Sequence, residues 1–281
     1  MYQIIIENAK GEQLNLTNDE ELMLCEVEGI YGFTNAINTH SLANADGAFY
    51  DSSYTNVRNI VMNFAIYGKP EEQRIKLYRY FNRKGKIKFY YQSDMRKVYI
   101  NGYVEDVTIN VHTNPVEAVV SILCPDPLFK KTDGEVVYYN ERIPLLTFPF
   151  STNQTEPIEF SRLEILSEQN LYNEGSTPTG LLITFKANSG KVINPILENA
   201  NTGEKLGLNY EMQAGETIVI DTRQHYKTIM SNINGDLLAY IIDEFKWLTV
   251  NVGDNIFRKG ATSGDSNLTV RFDFEEVYDG V

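Results

Sequence analysis

Apolar and polar residues alternate over short stretches of this chain, which is the pattern of β-strands with one buried face. In the first part of the chain such stretches are residues 2–6, 22–27, 59–67, 86–91, 97–112 and 116–123. Residues 59–67 are apolar on both alternating faces, which predicts burial on both sides, whereas residues 86–91 alternate basic and apolar side chains, as an exposed strand does. In residues 97–112, Asn101 and Gly102 signal a hairpin or a bulge, and a further bulge is expected near Asp106. The pattern predicts a mostly antiparallel β domain.

Residues 69–85 carry the clearest helical pattern. Pro70 stands at an allowed first-turn position, and Glu71 and Glu72 follow where the helix dipole favours acids. Basic residues crowd the other end, and Gly85 stops the helix. The helical spacing predicts a buried apolar face made of Ile75, Leu77, Tyr78, Tyr80 and Phe81.

Residues 34–56 form a long polar segment, TNAINTHSLANADGAFYDSSYTN, that is rich in Asn, Ser and Ala. Loops of this length inside a compact domain are usually functional or disordered. The segment is therefore interpreted as an arm or loop that a partner orders.

The run Cys124-Pro125-Asp126-Pro127 marks a domain boundary, because two prolines this close cannot continue a central strand. We expect a first domain at residues 1–131 and a second at 132–281, which opens with an apolar run and a Pro-flanked polar stretch, 151–157. Short strands at regular spacing then predict a β-sandwich. They are residues 180–187, 192–197, 205–208, 216–221, 237–241, 247–250 and 268–275. The last strand, 268–278, either closes the second domain or returns to the first.

Composition narrows the function classes. The 281 residues carry a net charge of −13, and phosphate recognition needs clustered Lys and Arg, so specific nucleic-acid binding is not expected. No apolar run approaches the roughly 20 residues of a membrane span, and the first residues lack a signal-peptide pattern, so synthesis in a cytoplasm is expected. Cys25 and Cys124 lie in apolar runs without zinc spacing, which favours two buried free thiols over a disulfide.

No catalytic, cofactor or metal signature is present in the sequence. The three histidines, His40, His112 and His225, have no companion at metal or triad spacing, and the Gly-rich run at 260–266 lacks the lysine of a P-loop. The stretch QAGETIVIDT ends on Asp221 and Thr222, which are expected to hydrogen-bond the backbone at a strand end. Asp221, Asp243 and Glu244 are candidates for a glycosidase pair only because a chain with 38 acids always offers one. We therefore predict that the protein is not an enzyme.

Trp247 is the one tryptophan of the chain, and alternation places it on the same side of its strand as Phe245. The two rings are either part of a sandwich core or a platform that contacts carbohydrate or a protein partner. Phe245 and Trp247 are thus the candidate contact residues, and a carbohydrate-binding module is the alternative function.

A series of motifs in residues 199–281 points to a family. The series is NANTGEKL, QAGETIVIDT, NINGDL, WLTVNVGDN, a Gly-rich hairpin and a closing FEEVYDGV. In the first half, a strand pair, a long segment, a Pro-started helix and the CPDPLF junction occur in a matching order. The whole chain resembles the siphophage distal tail proteins, the baseplate hub proteins of long-tailed phages and prophages.

The resemblance implies a fold and a function. The first domain would be an antiparallel β-structure with one helix that assembles into a homo-hexameric ring, and the second a galectin-like or carbohydrate-module-like β-sandwich on the outside. The ring would join the tail tube protein to the tail-tip or tail-associated protein in the virion, and the outer domain would also hold receptor-binding proteins for host attachment. Residues 34–56, 86–91 and 97–112 are the expected subunit or tube contacts. No cofactor is implied.

Overall fold

A computed structural model describes residues 2–42, 46–139, 142–144, 161–163 and 168–281. The chain divides into two compact units, the first made of Met1–Thr132 with Val277–Val281 and the second of Asp133–Glu276. The Pro-flanked stretch 151–157 lies outside the described residues. Across the described ranges the protein is mostly β-strand with one α-helix, which confirms the predicted fold class.

The elements are numbered in chain order, with strands and the helix numbered separately. In the first unit they are β1 (Gln3–Asn8), β2 (Gln13–Asn15), β3 (Leu22–Glu28), β4 (Asn35–His40), β5 (Phe49–Thr55), β6 (Arg58–Ile66), α1 (Pro70–Tyr80), β7 (Lys86–Gln92), β8 (Lys97–Asn110), β9 (Val116–Cys124) and β10 (Phe129–Lys131). In the second unit they are β11 (Glu135–Tyr139), β12 (Arg142–Pro144), β13 (Ser161–Leu163), β14 (Gln169–Asn173), β15 (Thr179–Ala187), β16 (Val192–Ile193), β17 (Ile196–Asn199), β18 (Lys205–Gly207), β19 (Glu211–Met212), β20 (Thr217–Asp221), β21 (Thr228–Ser231), β22 (Gly235–Asp236), β23 (Thr249–Val250), β24 (Gly253–Gly260) and β25 (Leu268–Phe274). Strand β26 (Val277–Tyr278) returns to the first unit.

An antiparallel sheet organises the first unit, with the strand order β2, β1, β7, β8, β9, β6, β3. Strand β8 also pairs with β10, and β10 pairs with β26. The bulge predicted near Asp106 is confirmed, because the register between β8 and β9 shifts between Val104 and Asp106. At Asn101 and Gly102 the strand continues without a hairpin.

One prediction about burial in this sheet is wrong, and another holds only in part. Strand β7 is not exposed, since it pairs with β1 on one side and β8 on the other, and Ile87 and Phe89 are buried. Strand β6 buries its Ile60 face fully, whereas on the second face Ala65 is buried, Val61 is half-buried and Asn59 is exposed. An alternating pattern shows that one face is buried, but it does not distinguish an interior strand from an edge strand.

The helix α1 begins and ends close to the predicted positions but buries a different face. Gln73 and Leu77 are buried, and Phe81 beyond the helix end packs 6.5 Å from the ring of Phe64. Ile75 and Tyr78, which the spacing assigned to the core, are exposed. The polar Gln73 displaces them because its Nε2 donates a hydrogen bond to Glu21 Oε2 at 2.6 Å.

The two larger antiparallel sheets of the second unit share a core. One has the order β11, β25, β15, β20, β21, β22, and the other β14, β24, β17, β18. The rings of Phe257 and Phe272 lie 5.4 Å apart and join the sheets in one buried cluster. Residues 237–241, predicted as a strand, contain instead a 3₁₀ helix at Leu238–Tyr240.

The two thiols are free but differ in environment. Cys25 is exposed, so its predicted burial is wrong, whereas Cys124 is buried. Burial raises the pKa of Cys124 to about 12. None of the helices in the described part of the chain has the length and apolarity that crossing a membrane requires.

Candidate functional site

The carboxylates that the sequence offered as catalytic candidates lie in different environments. Asp221 accepts hydrogen bonds from the backbone N–H of Arg223 at 3.0 Å and from its guanidinium at 2.9 and 2.6 Å. Thr222 Oγ1 accepts a hydrogen bond from the N–H of Leu181 at 2.9 Å, so the expected backbone bonding at this strand end is confirmed. Asp243 and Glu244 are exposed.

The three histidines are not arranged as a catalytic or metal site. His40, His112 and His225 are all exposed, and His40 Nε2 lies 3.7 Å from the carboxylate of Asp51. Among the residues that the structure describes, no group of three His, Cys, Asp or Glu side chains is arranged to hold a metal ion.

The aromatic pair of the second unit is half-buried. The rings of Phe245 and Trp247 meet edge to face with centroids 5.0 Å apart and pack against the core cluster of that unit. Lys227 Nζ lies 5.7 Å from the Trp247 ring centroid. The pair is therefore partly covered by the core and partly open to solvent.

The polar segment 34–56 contains a β-hairpin, although residues 43–45 at its centre lie outside the described part. Strands β4 and β5 pair in antiparallel register, with Asp51 as an extra residue between two pairing stretches. These strands pair with no other strand in the described ranges. The sequence predicted an arm or a loop in this segment. Its described residues form a β-hairpin, so the structure favours the arm.

Large apolar side chains lie on both faces of this hairpin. Registered partners share a face, so Ile37 and Tyr50 lie on one face and Phe49 and Tyr54 on the other. Their exposed fractions are 64% and 65% on the first face and 64% and 58% on the second. An isolated two-stranded hairpin is marginally stable in water, because neither face is covered. The arrangement is that of an element which another surface completes.

Arg58 fixes the root of the hairpin. Its guanidinium is only 6% exposed and donates hydrogen bonds to the carbonyl oxygens of Gly29 at 2.6 Å, Gly32 at 2.5 Å, Pro127 and Asp279. The guanidinium also lies 4.9 Å from the ring centroid of Phe129. Burial lowers the pKa of Arg58 from its ordinary value. One side chain thus joins the start of β6 to the segment before β4, to the domain junction and to the returning segment.

A small cavity lies beside Arg58 at the hairpin root. Its volume is about 100 Å³, and Phe33, Thr34, Asn56 and Val57 contribute to its lining. Pockets that enclose small ligands usually measure roughly 300–1,000 Å³. The cavity is too small for a sugar or cofactor site.

Sequence reasoning did not single out Arg58. The available signal was a lone arginine at the start of a strand whose following residues are buried, since buried Arg is rare without partners. The carbonyl acceptors come from positions far apart in the chain, and no sequence pattern identifies them.

Two family models match the chain. Residues 9–124 match the phage tail protein RIFT-related domain, and residues 174–278 match the siphovirus-type tail component, C-terminal domain. The two matches together cover most of the chain and correspond to the two units of the fold.

Solved structures with the same fold come from phage tails. The crystal structure of the Dit protein of phage SPP1, described as a paradigm of the hub adsorption apparatus in phages that infect Gram-positive hosts, is 13% identical with a TM-score of 0.66, over 97% of this chain and 98% of that chain. Chains of the phage P2 baseplate in its activated conformation, with Ca and with Sr, are 13% identical with TM-scores of 0.51 and 0.50, over 100% of both chains. No curated protein matches the sequence.

Proposed function

Because the chain belongs to the family of siphophage distal tail proteins, the structural hubs of phage baseplates, we propose that six copies form a ring that joins the tail tube protein to the tail-tip protein. The ring would consist of the first units, and the second units would lie outside it. The protein is placed in the virion tail by its family.

The hairpin of β4 and β5 is the observation that carries self-association. Its four large apolar side chains lie on two faces, so a partner that covered only one face would leave the other in water. In a closed ring each subunit offers one surface to the next copy and a different one to the previous copy. A hairpin that extends from one copy onto its neighbour can have both of its faces covered by that second chain. It also makes the two contacting surfaces different, as a closed ring requires.

We also propose a structural role without catalysis. The carboxylate of Asp221 is neutralised by Arg223, and the other candidates, Asp243 and Glu244, face solvent. The family is one of tail structural components.

The mass of the purified chain, measured by mass photometry as a function of concentration, tests the ring. We expect a species of six subunits, and we expect the Ile37→Ser/Tyr50→Ser/Tyr54→Ser variant to remain largely monomeric. A matched control, Tyr226→Ser/Ile233→Ser, changes equally exposed residues of the second unit and should assemble like the parent. A strict monomer at every concentration, with and without the tail-tip protein, would contradict the proposal.

We further propose that the second unit contacts a receptor-binding protein through the region of Phe245 and Trp247. The adjoining residues Leu238, Tyr240 and Ile241 are exposed, which gives this segment an apolar surface. Host-surface carbohydrate is the alternative ligand. Trp247→Ala should weaken capture of the receptor-binding protein without changing the circular dichroism spectrum, whereas loss of glycan-array binding with intact protein capture would favour the carbohydrate alternative.

A further inference from the structure

A second exposed aromatic surface lies beside the hairpin root in the first unit. The rings of Tyr2 and Tyr91 stack with their centroids 5.7 Å apart and their planes 15° from parallel. Tyr91 is nearly buried in this stack, whereas Tyr2 is 46% exposed. Tyr31 is 64% exposed and Phe33 is 57% exposed. Tyr2, Tyr31 and Phe33 are called the aromatic patch.

The residues of the aromatic patch lie close together and lead towards the hairpin. Partial desolvation raises the pKa of Tyr31 from its ordinary value, and the phenols of Tyr91 and Tyr2 raise this pKa further. Such an effect acts between neighbouring groups, so Tyr31 lies beside the stacked pair. Phe33 follows Tyr31 by two residues, and β4 begins two residues after Phe33. The patch is therefore continuous with the root of the hairpin.

The aromatic patch is held in place before any partner arrives. Val281 N–H donates a hydrogen bond to the carbonyl oxygen of Ile30 at 3.1 Å. Arg58 Nη1 donates to the carbonyl oxygen of Gly32 at 2.5 Å. The residues on both sides of Tyr31 are thus fixed. A surface that is already ordered loses little conformational entropy when another molecule covers it.

The hairpin alone offers a small apolar area for a permanent ring. A large apolar side chain contributes about 200 Å² when fully exposed, so the four large side chains of the hairpin expose roughly 500 Å². Permanent homo-oligomer interfaces bury at least about 1,000 Å² on each partner, of which about 65% is apolar. The hairpin falls short of the roughly 650 Å² that this implies. With the roughly 330 Å² that the aromatic patch exposes, the two surfaces together exceed it.

We propose that the neighbouring copy which covers the hairpin also covers the aromatic patch, so that both belong to one subunit interface. This inference rests on the proposed ring and extends its contact surface to the hairpin root. Aromatic side chains are enriched at the buried centre of protein interfaces, and charged side chains are depleted there. The patch and the hairpin share this composition, since their large exposed side chains are aromatic or aliphatic and uncharged.

Substitution of the two tyrosines tests the extended interface. We expect Tyr2→Ser/Tyr31→Ser to raise the concentration needed for assembly, measured by mass photometry, by about tenfold or more, because the apolar area of the patch no longer contributes. The matched control is Tyr67→Ser/Tyr78→Ser, which removes two tyrosines of the first unit that are 63% and 50% exposed outside the interface. This control should assemble like the parent.

Footprinting of the parent chain gives a second measurement that does not depend on how a variant folds. Hydroxyl radicals modify exposed tyrosine rings, and mass spectrometry after a short pulse compares the ring with the monomer obtained by dilution. We expect modification of Tyr2 and Tyr31 to fall severalfold in the ring, and modification of Tyr67 to stay unchanged.

The outcomes separate this inference from the proposed ring. A parent that forms no ring contradicts the proposed function and removes this inference with it. A ring in which Tyr31 reacts as readily as in the monomer overturns the inference alone, whether or not Tyr2→Ser/Tyr31→Ser assembles. If that variant assembles normally but loses binding of the tail-tip protein that the parent retains, the patch faces another tail component and the inference is wrong.

Discussion

Arg58 is the single residue whose loss should affect the first unit most. Its guanidinium satisfies four carbonyl oxygens from three separate segments while nearly excluded from water. Arg58→Met keeps much of the volume but leaves those carbonyls without donors. We expect the free energy of unfolding of the first unit to fall by about 3–5 kcal/mol, as for other buried charged hydrogen-bonding groups. Urea denaturation followed by circular dichroism measures the change.

Two controls sharpen that expectation. Arg58→Lys keeps the charge but cannot reproduce the planar fork of donors, so it should recover little of the loss. Arg83→Met removes an exposed arginine and should change stability by less than about 0.5 kcal/mol. Equal effects of Arg58→Met and Arg83→Met would contradict the role assigned to Arg58.

The pair of Glu12 and Arg79 gives the first unit an acid-sensitive contact. The hydrogen bond from Arg79, with a further one from Asn8, lowers the pKa of Glu12 from 4.5 to about 2. A lowered pKa in the folded state means that the contribution to stability is complete above pH 4.5 and disappears as pH falls towards 2. Glu12→Gln should therefore lose less stability than the parent across this window, as measured by urea denaturation at several pH values.

The same acid response provides its own control. Arg79→Gln removes the partner and should flatten the pH dependence as Glu12→Gln does, while the double variant should add little, because one interaction is being deleted twice. A Glu12→Gln variant with the full acid response of the parent would show that the pair does not act in this way.

At the scale of elements, the sequence predicted strands and the helix well but their surroundings poorly. The pattern located α1 because Pro70, the acids after it and Gly85 are local signals, yet the buried stripe of Gln73 and Leu77 depends on Glu21, which is distant in sequence. The β4–β5 hairpin was not predicted as strands, because a strand exposed on both faces has no hydrophobic alternation. The same lack of a local signal hid the carbonyl cluster around Arg58.

Removal of the returning segment Val277–Val281 should destabilise the first unit and leave the stability of the second unit unchanged. Tyr278 is buried and lies 4.3 Å from the guanidinium of Arg96, Arg96 donates to the carbonyl of Gly280 at 2.7 Å, and Val281 N–H donates to Ile30 at 3.1 Å. Deletion of residues 277–281 should lower the stability of the first unit by about 3–6 kcal/mol, since two buried side chains and their hydrogen bonds are lost.

Hydrogen exchange resolves that effect by unit. Amides of β6 and β8 should exchange faster in the deletion variant, and those of β15 and β20 should not. Tyr226→Ala, which truncates an exposed tyrosine of the second unit, serves as the control and should leave both sets unchanged. Uniform acceleration in both units would contradict a role confined to the first.

At the scale of the whole molecule, the two units differ strongly in charge. The first carries 17 acidic and 14 basic residues and the second 21 and 11, so most of the net charge of −13 belongs to the second unit. Each unit also has its own buried cluster. We expect residues 133–276, expressed alone, to fold with a cooperative thermal transition, whereas residues 1–132 alone should not. Circular dichroism melting curves decide this, and an unfolded 133–276 fragment would contradict it.

The return of β26 also orders events in time. The ribosome synthesises residues 1–132 long before residues 277–281. At roughly 5–20 residues per second, the interval between the two is about 7–30 s. During that interval the partners of Arg58 and Arg96 in the last residues do not yet exist. The hairpin root of a nascent chain therefore lacks these two hydrogen bonds until residues 277–281 have left the ribosome.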